Sequence, residues 1–167
     1  GKYQTSSADD DASSTEQDNS GSEIGIQWKT AAAESPIDLN NNGWTANFGD
    51  PNWKNISMPD NGGWYCSNCY RRYSGSFDLS KTNGSFKLSF SSDDGLWLYV
   101  NGNYLGHWGG DSNNRLMCVN NAYCRNNQTA SDLEIKNYLR QGNNAVSAIV
   151  YDGGGGSAYF DLHLKNY

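Results

Sequence analysis

The chain has 167 residues, 36% of them hydrophobic, and a formal net charge of −6, which fits one domain with a core of its own. Aromatic residues are abundant, with 6 Trp, 11 Tyr and 5 Phe, and 19 glycines stand against 3 prolines. The acidic balance and the lack of a basic stripe argue against a nucleic-acid-binding protein. No apolar run approaches the roughly eighteen residues of a membrane helix.

Residues 1–22 form a Ser- and Asp-rich segment with five acidic residues and almost nothing to bury. We predict a low-complexity tail, because such a segment cannot offset the entropy lost when it is ordered. Something else would have to hold it in place: its own domain, a neighbouring copy or a crystal lattice. The chain begins at Gly1 rather than Met, as a processed exported precursor would, and as a trimmed chain would equally do.

The next segment, 23–43, opens with a strand pattern and continues as a connector. Ile24, Ile26 and Trp28 occupy alternate positions, which predicts one strand from Glu23 to Thr30. Connectors isolate this strand from the rest of the chain. A strand of this kind can complete the sandwich of a neighbouring protomer, as in pili that assemble by strand donation. The three apolar residues are therefore predicted to form a donor strand.

Residues 44–167 are predicted to form an antiparallel β-sandwich of the jelly-roll or Ig-like type. The dipeptides Asp94-Gly95 and Asn101-Gly102 predict tight hairpin turns with positive φ at both central positions. Between them, Leu96–Val100 is apolar on one face and aromatic on the other. The segment Ser131–Arg140 predicts a strand that runs into a single helical turn. Together with the N-terminal strand, this gives an all-β chain of about eight or nine strands with an extended N-terminal segment. Other strands are predicted at Trp44–Phe48, Tyr70–Leu79, Ser85–Ser91, Asn144–Tyr151 and Ala158–Lys165, with a further one ending at Trp108.

Four cysteines occur as two close pairs, Cys66 with Cys69 and Cys118 with Cys124. An even count in a polar, Asn- and Gly-rich chain favours disulfides, and pairing within each close pair is our hypothesis among the three connectivities. A four-thiolate zinc site is the alternative, because Cys-x-x-Cys is a usual half-site. Disulfides would indicate an extracellular or cell-surface location.

Aromatic faces and planar polar side chains are the usual partners of sugar rings, and the sequence offers both. We predict that a group of aromatic residues forms a glycan platform or an interface with another copy, with Arg71 and Arg72 as hydrogen-bond partners. Packing in the core is the competing interpretation for each of them. The group comprises Trp53, Trp64, Tyr65, Tyr70, Trp97 and Trp108.

The inventory for catalysis is poor. His107 and His163 are the only histidines, and no nucleophile elbow, phosphate loop or His-x-x-x-His pair is present. His163 lies on the polar face of the last predicted strand, which indicates a surface residue. His107 follows the hairpin beside Trp108, where it could line a pocket. We expect no enzymatic activity.

Acidic residues at the predicted turns could supply oxygen ligands to a calcium ion, which favours clustered carboxylates and carbonyls. The competing interpretation is that Asp94-Gly95 and Asp152-Gly153 are turn dipeptides chosen for backbone reasons. We expect no other cofactor. The acidic candidates are Asp93, Asp94, Asp111 and Asp152.

The order of these features resembles the galactose-binding-domain-like jelly roll over about two thirds of the chain. The resemblance implies a sandwich fold and a use as a carbohydrate-binding module, or as the non-catalytic sugar-binding domain of a β-galactosidase-type hydrolase. The Ser92–Gly95 segment also resembles PA14-type adhesin domains, whose paired Asp residues bind calcium, and this implies Asp93 and Asp94 as ligands. The matching segments are Tyr73–Leu79, Leu88–Gly95, Leu98–Gly102, Asp132–Val146 and Ala148–Tyr151.

The sequence leaves two functions open. The first is a non-catalytic extracellular structural subunit of a fibril or pilus, which polymerises with other copies of the chain by inserting its N-terminal strand into a neighbour. The alternative is a carbohydrate-binding module that folds alone and holds a glycan with its aromatic face or its loops. The partners are other copies of the chain in the first case and glycans in the second.

Overall fold

The computed structural model describes residues 21–34, 52–61, 69–109, 128–153 and 158–167. These residues form ten strands and one short 3-10 helix, Lys136–Tyr138. Within these ranges, no helix has the length and apolar character needed to cross a membrane. The strands are β1 (Ser22–Ile24), β2 (Gln27–Thr30), β3 (Lys54–Ile56), β4 (Cys69–Leu79), β5 (Phe86–Asp93), β6 (Leu96–Val100), β7 (Asn103–Trp108), β8 (Gln128–Glu134), β9 (Gly142–Asp152) and β10 (Tyr159–Asn166).

The strands make two antiparallel sheets. One has the order β1-β10-β5-β8, and the other has the order β3-β2-β4-β9-β6-β7. From β7 to β10, each successive strand lies in the opposite sheet, so each connection along this part of the chain crosses from one sheet to the other. The predicted all-β sandwich is confirmed, with ten described strands rather than eight or nine.

The core lies between the two sheets and follows the alternation of the sequence. In β5, the three apolar residues Phe86, Leu88 and Phe90 are buried while their neighbours are half-exposed. Strand β6 differs, because every residue from Leu96 to Val100 is buried. The aromatic face of β6 is therefore covered, like its apolar face.

The two predicted hairpin turns have different backbones. Asn101 and Gly102 have φ values of 48° and 79°, so the tight turn between β6 and β7 is confirmed. The prediction was wrong for Asp94-Gly95, where neither residue has positive φ and the Asp93–Asp94 peptide bond is cis. Hydrogen bonds to β9 fix this turn instead, with the Asp94 N–H donating to the carbonyl of Tyr151 at 2.8 Å.

The predicted strand from Glu23 to Thr30 is divided between the sheets. β1 pairs with β10 in one sheet, and β2 lies between β3 and β4 in the other. The chain crosses from sheet to sheet at Gly25 and Ile26. Trp28 is 5% exposed and packs edge-on against Phe160, with 5.8 Å between ring centroids. Ile24, Ile26 and Trp28 thus pack within the sandwich of their own chain, and their donation to a neighbouring copy stays a prediction.

Several predictions concern residues outside the described ranges. They include residues 1–20 of the predicted tail, the strand at Trp44–Phe48 and the domain boundary at residue 44. Cys69 is buried at the start of β4 and is not a free thiol, while the other cysteines lie outside these ranges. The predicted pairing therefore stays a prediction. The individual residues concerned are Trp64, Tyr65, Cys66, Asp111, Cys118 and Cys124.

Candidate functional site

The described members of the predicted aromatic platform do not share one surface. Trp53 is buried under the Arg72 guanidinium, which lies 5.3 Å from the centre of its ring. Tyr70 is buried against Tyr151, with 5.0 Å between ring centroids. Trp108 packs edge-on against a phenylalanine of the core, and Trp97 lies on the outer face of the six-stranded sheet. These aromatic side chains mainly pack against the protein itself.

The two arginines predicted as glycan partners hold carboxylates of their own chain. Arg72 donates from Nε to Glu34 at 2.6 Å. Arg71 donates from an Nη atom to Asp60 at 3.1 Å, and Tyr73 donates its hydroxyl to the same carboxylate at 2.5 Å. Asp60 is buried and its backbone pairs with Phe160, so this network ties the loop after β3 to the core.

An aromatic cluster on the outer face of β6 and β7 was only partly foreseen. Trp97 stacks on His107 with 5.3 Å between ring centroids and an angle of 23° between the ring planes. Tyr104 packs against Trp97 at 5.3 Å and against Tyr99 at 5.6 Å. The Tyr104 hydroxyl lies 2.7 Å from His107 Nδ1, and Tyr104 is 43% exposed. We call these four residues the outer-face cluster.

The register of the hairpin explains which cluster members the sequence could reveal. A two-residue turn at Asn101-Gly102 places Tyr104 opposite Tyr99, so Tyr104 was within reach of sequence reasoning. The position of His107 in the cluster could not be predicted from the sequence, because a β-bulge shifts the register by one residue between Leu98 and Tyr99. That shift places His107 opposite Trp97. Among the described residues, the Trp97 Nε1 group is buried without a hydrogen-bond partner.

Three carboxylates lie at the end of the sandwich where β5 and β9 finish. Asp93 ends β5, Asp94 follows it, and Asp152 ends β9. Asp94 is 4% exposed, and its Oδ2 accepts a hydrogen bond from the Gly153 N–H at 2.9 Å. Asp152 is also buried. We call Asp93, Asp94 and Asp152 the acidic end.

Burial raises the pKa of Asp94 to about 6, from an ordinary value of 3.8. The negative charges of Asp93 and Asp152 add to this rise, and the hydrogen bond from Gly153 opposes it. Because burial and two neighbouring carboxylates disfavour the negative charge of Asp94, a proton or a cation beside it would be stabilising. The acidic end is therefore a candidate for binding a cation.

Carboxylate oxygens are the ligands that calcium prefers, so Asp93 and Asp94 fit the predicted ion in kind. Calcium takes roughly six to eight oxygen ligands, more than two carboxylates supply. Within the part of the chain that the structure describes, no three His, Cys, Asp or Glu side chains are arranged to hold a metal ion. The calcium prediction therefore stays a prediction about this pair.

A groove of about 610 Å³ opens at the side of the sandwich where β1 and β3 are the edge strands. Its floor is apolar and its rim is polar. The groove is the gap that β1 and β2 leave as the chain passes from one sheet to the other. The floor contains Ile24, Ile26, Trp28, Ile56, Met58 and Leu162, and the rim includes Glu23, Lys29, Asn55 and His163.

His163 was predicted as a surface residue and is 46% exposed, but it is not isolated. Its Nδ1 lies 2.5 Å from Glu23 Oε1, and its Nε2 lies 3.0 Å from the Asp161 carboxylate. The hydrogen bond to Glu23 is the main cause that raises the pKa of His163, and Asp161 contributes in the same direction. Sequence reasoning had no means to find Glu23, because it belongs to another strand at the far end of the chain.

Comparisons with known proteins identify the fold. No family model and no curated protein matches the sequence. Among solved structures, the chain is similar to a glycosyl hydrolase family 2 member from Bacteroides cellulosilyticus DSM 14838, with 15% identity and a TM-score of 0.50. The similarity covers 86% of this chain and 20% of that one, so this chain spans about a fifth of the enzyme.

Two smaller structures are also similar. One is the PA14 sugar-binding domain from an RTX adhesin, with 14% identity, a TM-score of 0.45, and coverage of 86% of this chain and 90% of that one. The other is the A domain of epithelial adhesin 6 from Candida glabrata in complex with Galβ1-3GlcNAc, with 13% identity, a TM-score of 0.38, and coverage of 90% and 82%. The predicted resemblance to galactose-binding-domain-like jelly rolls is confirmed at the level of the fold.

Proposed function

We propose that this chain is a carbohydrate-binding module of an extracellular or cell-surface protein. The acidic end carries the proposal, because it places a buried carboxyl group with a raised pKa at one end of the sandwich. Carboxylates accept hydrogen bonds from ligand hydroxyls. The Bacteroides structure that shares this fold is a glycosyl hydrolase, which agrees with a carbohydrate ligand.

Calcium is the proposed cofactor of this site. Asp93 and Asp94 would hold it, and an ion there would compensate the charge that burial makes costly. Sugar hydroxyls are oxygen ligands of the same hard type, so the ion and the glycan would support each other's binding. The remaining ligands would come from groups other than these two carboxylates.

A non-catalytic role agrees with the positions of the two histidines. His107 is engaged by Tyr104 and stacks on Trp97, and His163 lies between two carboxylates. The fibril hypothesis has no support from the described strands, because β1 and β2 pair within the sandwich of their own chain. We therefore favour the module over the fibril subunit.

The experiment is a glycan-binding measurement with and without calcium. The intact chain is screened on a glycan array, and its best ligand is then titrated by calorimetry. We expect binding in calcium that weakens at least tenfold in excess chelator and in Asp94→Asn. Asp78→Asn, at an exposed position near the end of β4, is the matched control and should leave binding unchanged. Absence of binding to every neutral and acidic glycan, with calcium present, would overturn the proposal.

A second variant locates the site. Tyr104 is the exposed member of the outer-face cluster, so Tyr104→Ala removes the aromatic face that a sugar ring could reach there. We expect this variant to bind the glycan as the wild type does. If binding is lost in Tyr104→Ala and kept in Asp94→Asn, the site lies on the outer-face cluster and the acidic end is not the binding site.

A further inference from the structure

We propose that His163 is a pH-dependent latch that holds the edge strand β1 against β10. The latch joins Glu23 on β1 to Asp161 on β10 through the two nitrogens of one imidazole ring. This inference is independent of the proposed glycan site, because none of the three residues belongs to the acidic end. It concerns a conformational device at the edge of the four-stranded sheet that β1 forms.

Strand β1 is the element that such a latch would control. It has three residues, and among the described strands β10 is its one neighbour in the sheet. Glycines stand close to both ends, with Gly21 at a φ of +66° and Gly25 at an exposed position with no heavy atom near its missing side chain. A three-residue edge strand is the kind of element that opens locally before the rest of a domain.

The geometry of the ring selects one protonation state. Nδ1 faces Glu23 and Nε2 faces Asp161, and both partners are carboxylates that only accept hydrogen bonds. A neutral imidazole has one N–H and can donate to only one of them. The imidazolium has two and satisfies both, so the bridge between the strands is complete only when His163 is charged.

The surrounding charges favour the same state. On β10 itself, Asp161 and Lys165 flank His163 on the same face, and Glu23 of β1 lies opposite Lys165. On β5, the uncharged Ser89 lies opposite His163, and Lys87 lies opposite Lys165. The two carboxylates lie within hydrogen-bond distance of His163, whereas both lysines are at the next position along the face.

The sign of the pH effect follows from the raised pKa of His163, whose first cause is the hydrogen bond to Glu23. The folded chain binds this proton more tightly than the unfolded chain does. The stabilisation is therefore complete below the ordinary pKa of 6.5 and is lost as the pH rises through the raised value. Glu23 and His163 both line the groove, so release of β1 would widen it and expose the edge of β10.

Hydrogen exchange on the intact chain tests the latch. The protection of the backbone amides of residues 22–26 is measured between about pH 5.5 and 8.5 and corrected for intrinsic exchange. We expect protection to fall about two- to fivefold as the pH rises, the range typical of a partly exposed ion pair. In His163→Gln, protection should be low throughout and independent of pH. His107→Gln, which alters the other histidine, should behave as the wild type does.

Two results would overturn the proposal. One is the same pH-dependent fall in His163→Gln, which would place the cause elsewhere. The other is a ring titration of His163, followed by NMR, that is unchanged in Glu23→Gln. Circular dichroism at low pH shows whether each variant is folded, and the NMR titration of the wild type keeps the proposal testable if one is not.

Discussion

At the scale of single residues, burial decides which acidic groups differ from the rest. Asp94 and Asp60 are both buried, but Asp60 accepts hydrogen bonds from Arg71 and Tyr73. Asp94 accepts one from a backbone N–H and faces two further carboxylates. Asp60 therefore has a structural role, whereas Asp94 is a group whose negative charge the fold disfavours. We therefore expect the protonation of Asp94 to change the free energy of unfolding.

Stability should depend on pH through Asp94 between about pH 4 and 6. Its folded-state pKa of about 6 lies above the ordinary value of 3.8, so the protonated form is stabilised by folding. That contribution is complete below about pH 3.8 and is lost as the pH rises through about 6. A difference of about two units amounts to at most about 3 kcal/mol. Urea denaturation at a series of pH values, without calcium, measures it.

Asp94→Asn is the variant for this prediction, because the amide oxygen can still accept the Gly153 hydrogen bond. We expect its stability to change less than that of the wild type across this pH range. The exposed Asp78→Asn serves as the control and should follow the wild-type curve. Identical pH profiles for the wild type and Asp94→Asn would contradict the prediction.

At the scale of elements, local pattern gave the hairpin of β6 and β7 and the strand that ends in a helical turn at Lys136–Tyr138. Both follow from short-range sequence signals, such as the Asn101-Gly102 dipeptide, whose two residues have positive φ. The division of the predicted 23–30 strand into β1 and β2 depends on pairing with strands that are distant in the sequence. Its alternation suits either sheet, and the partners that separate it, β10 and β4, come much later in the chain.

Removal of β1 and β2 should destabilise the sandwich. Deletion of residues 1–30 strips Trp28 from the core and uncovers Gly75, whose missing side chain would meet Ile26 and Trp28 within 3.0 Å. Truncation of a buried Trp alone typically costs about 3–5 kcal/mol, so we expect a loss of at least that size. Urea denaturation measures the free energy of unfolding.

Deletion of residues 1–20 is the matched control for that experiment, because it keeps every described strand. We expect it to unfold as the full chain does. Full stability after deletion of residues 1–30 would mean that β1 and β2 contribute little to the sandwich, and it would reopen the possibility that they act on a neighbour.

At the scale of the whole molecule, the sequence predicted the fold class but not the completeness of the sandwich. Alternation and turn dipeptides are enough to indicate two packed sheets, as the buried Phe86, Leu88 and Phe90 illustrate. The platform prediction for Trp53, Tyr70 and Trp97 depended on exposure, which is set by the residues that cover a side chain. Arg72, Tyr151 and His107 provide that cover, and none of them is a sequence neighbour of the residue that it covers.

A sandwich that is completed by its own strands should remain monomeric. β1 and β2 occupy places in the two described sheets, so donation of this segment to a neighbour would require it to leave its own sandwich. We expect a single species at the mass of one chain, 18.4 kDa, by light scattering after size exclusion, and no filaments by negative-stain microscopy. Filaments in the intact protein that vanish on deletion of residues 1–30 would restore the fibril hypothesis.

The pairing of β1 with β10 has a mechanical consequence. The two strands are antiparallel and Ser22 lies opposite Asn166, so the chain enters and leaves the sandwich at the same place. Tension applied between the two ends would load the hydrogen bonds of this pair one after another, as in opening a zip, rather than all at once. A domain tethered at both ends would therefore yield first at β1 under weak force, while the longer pairing of β4 with β9 stayed closed.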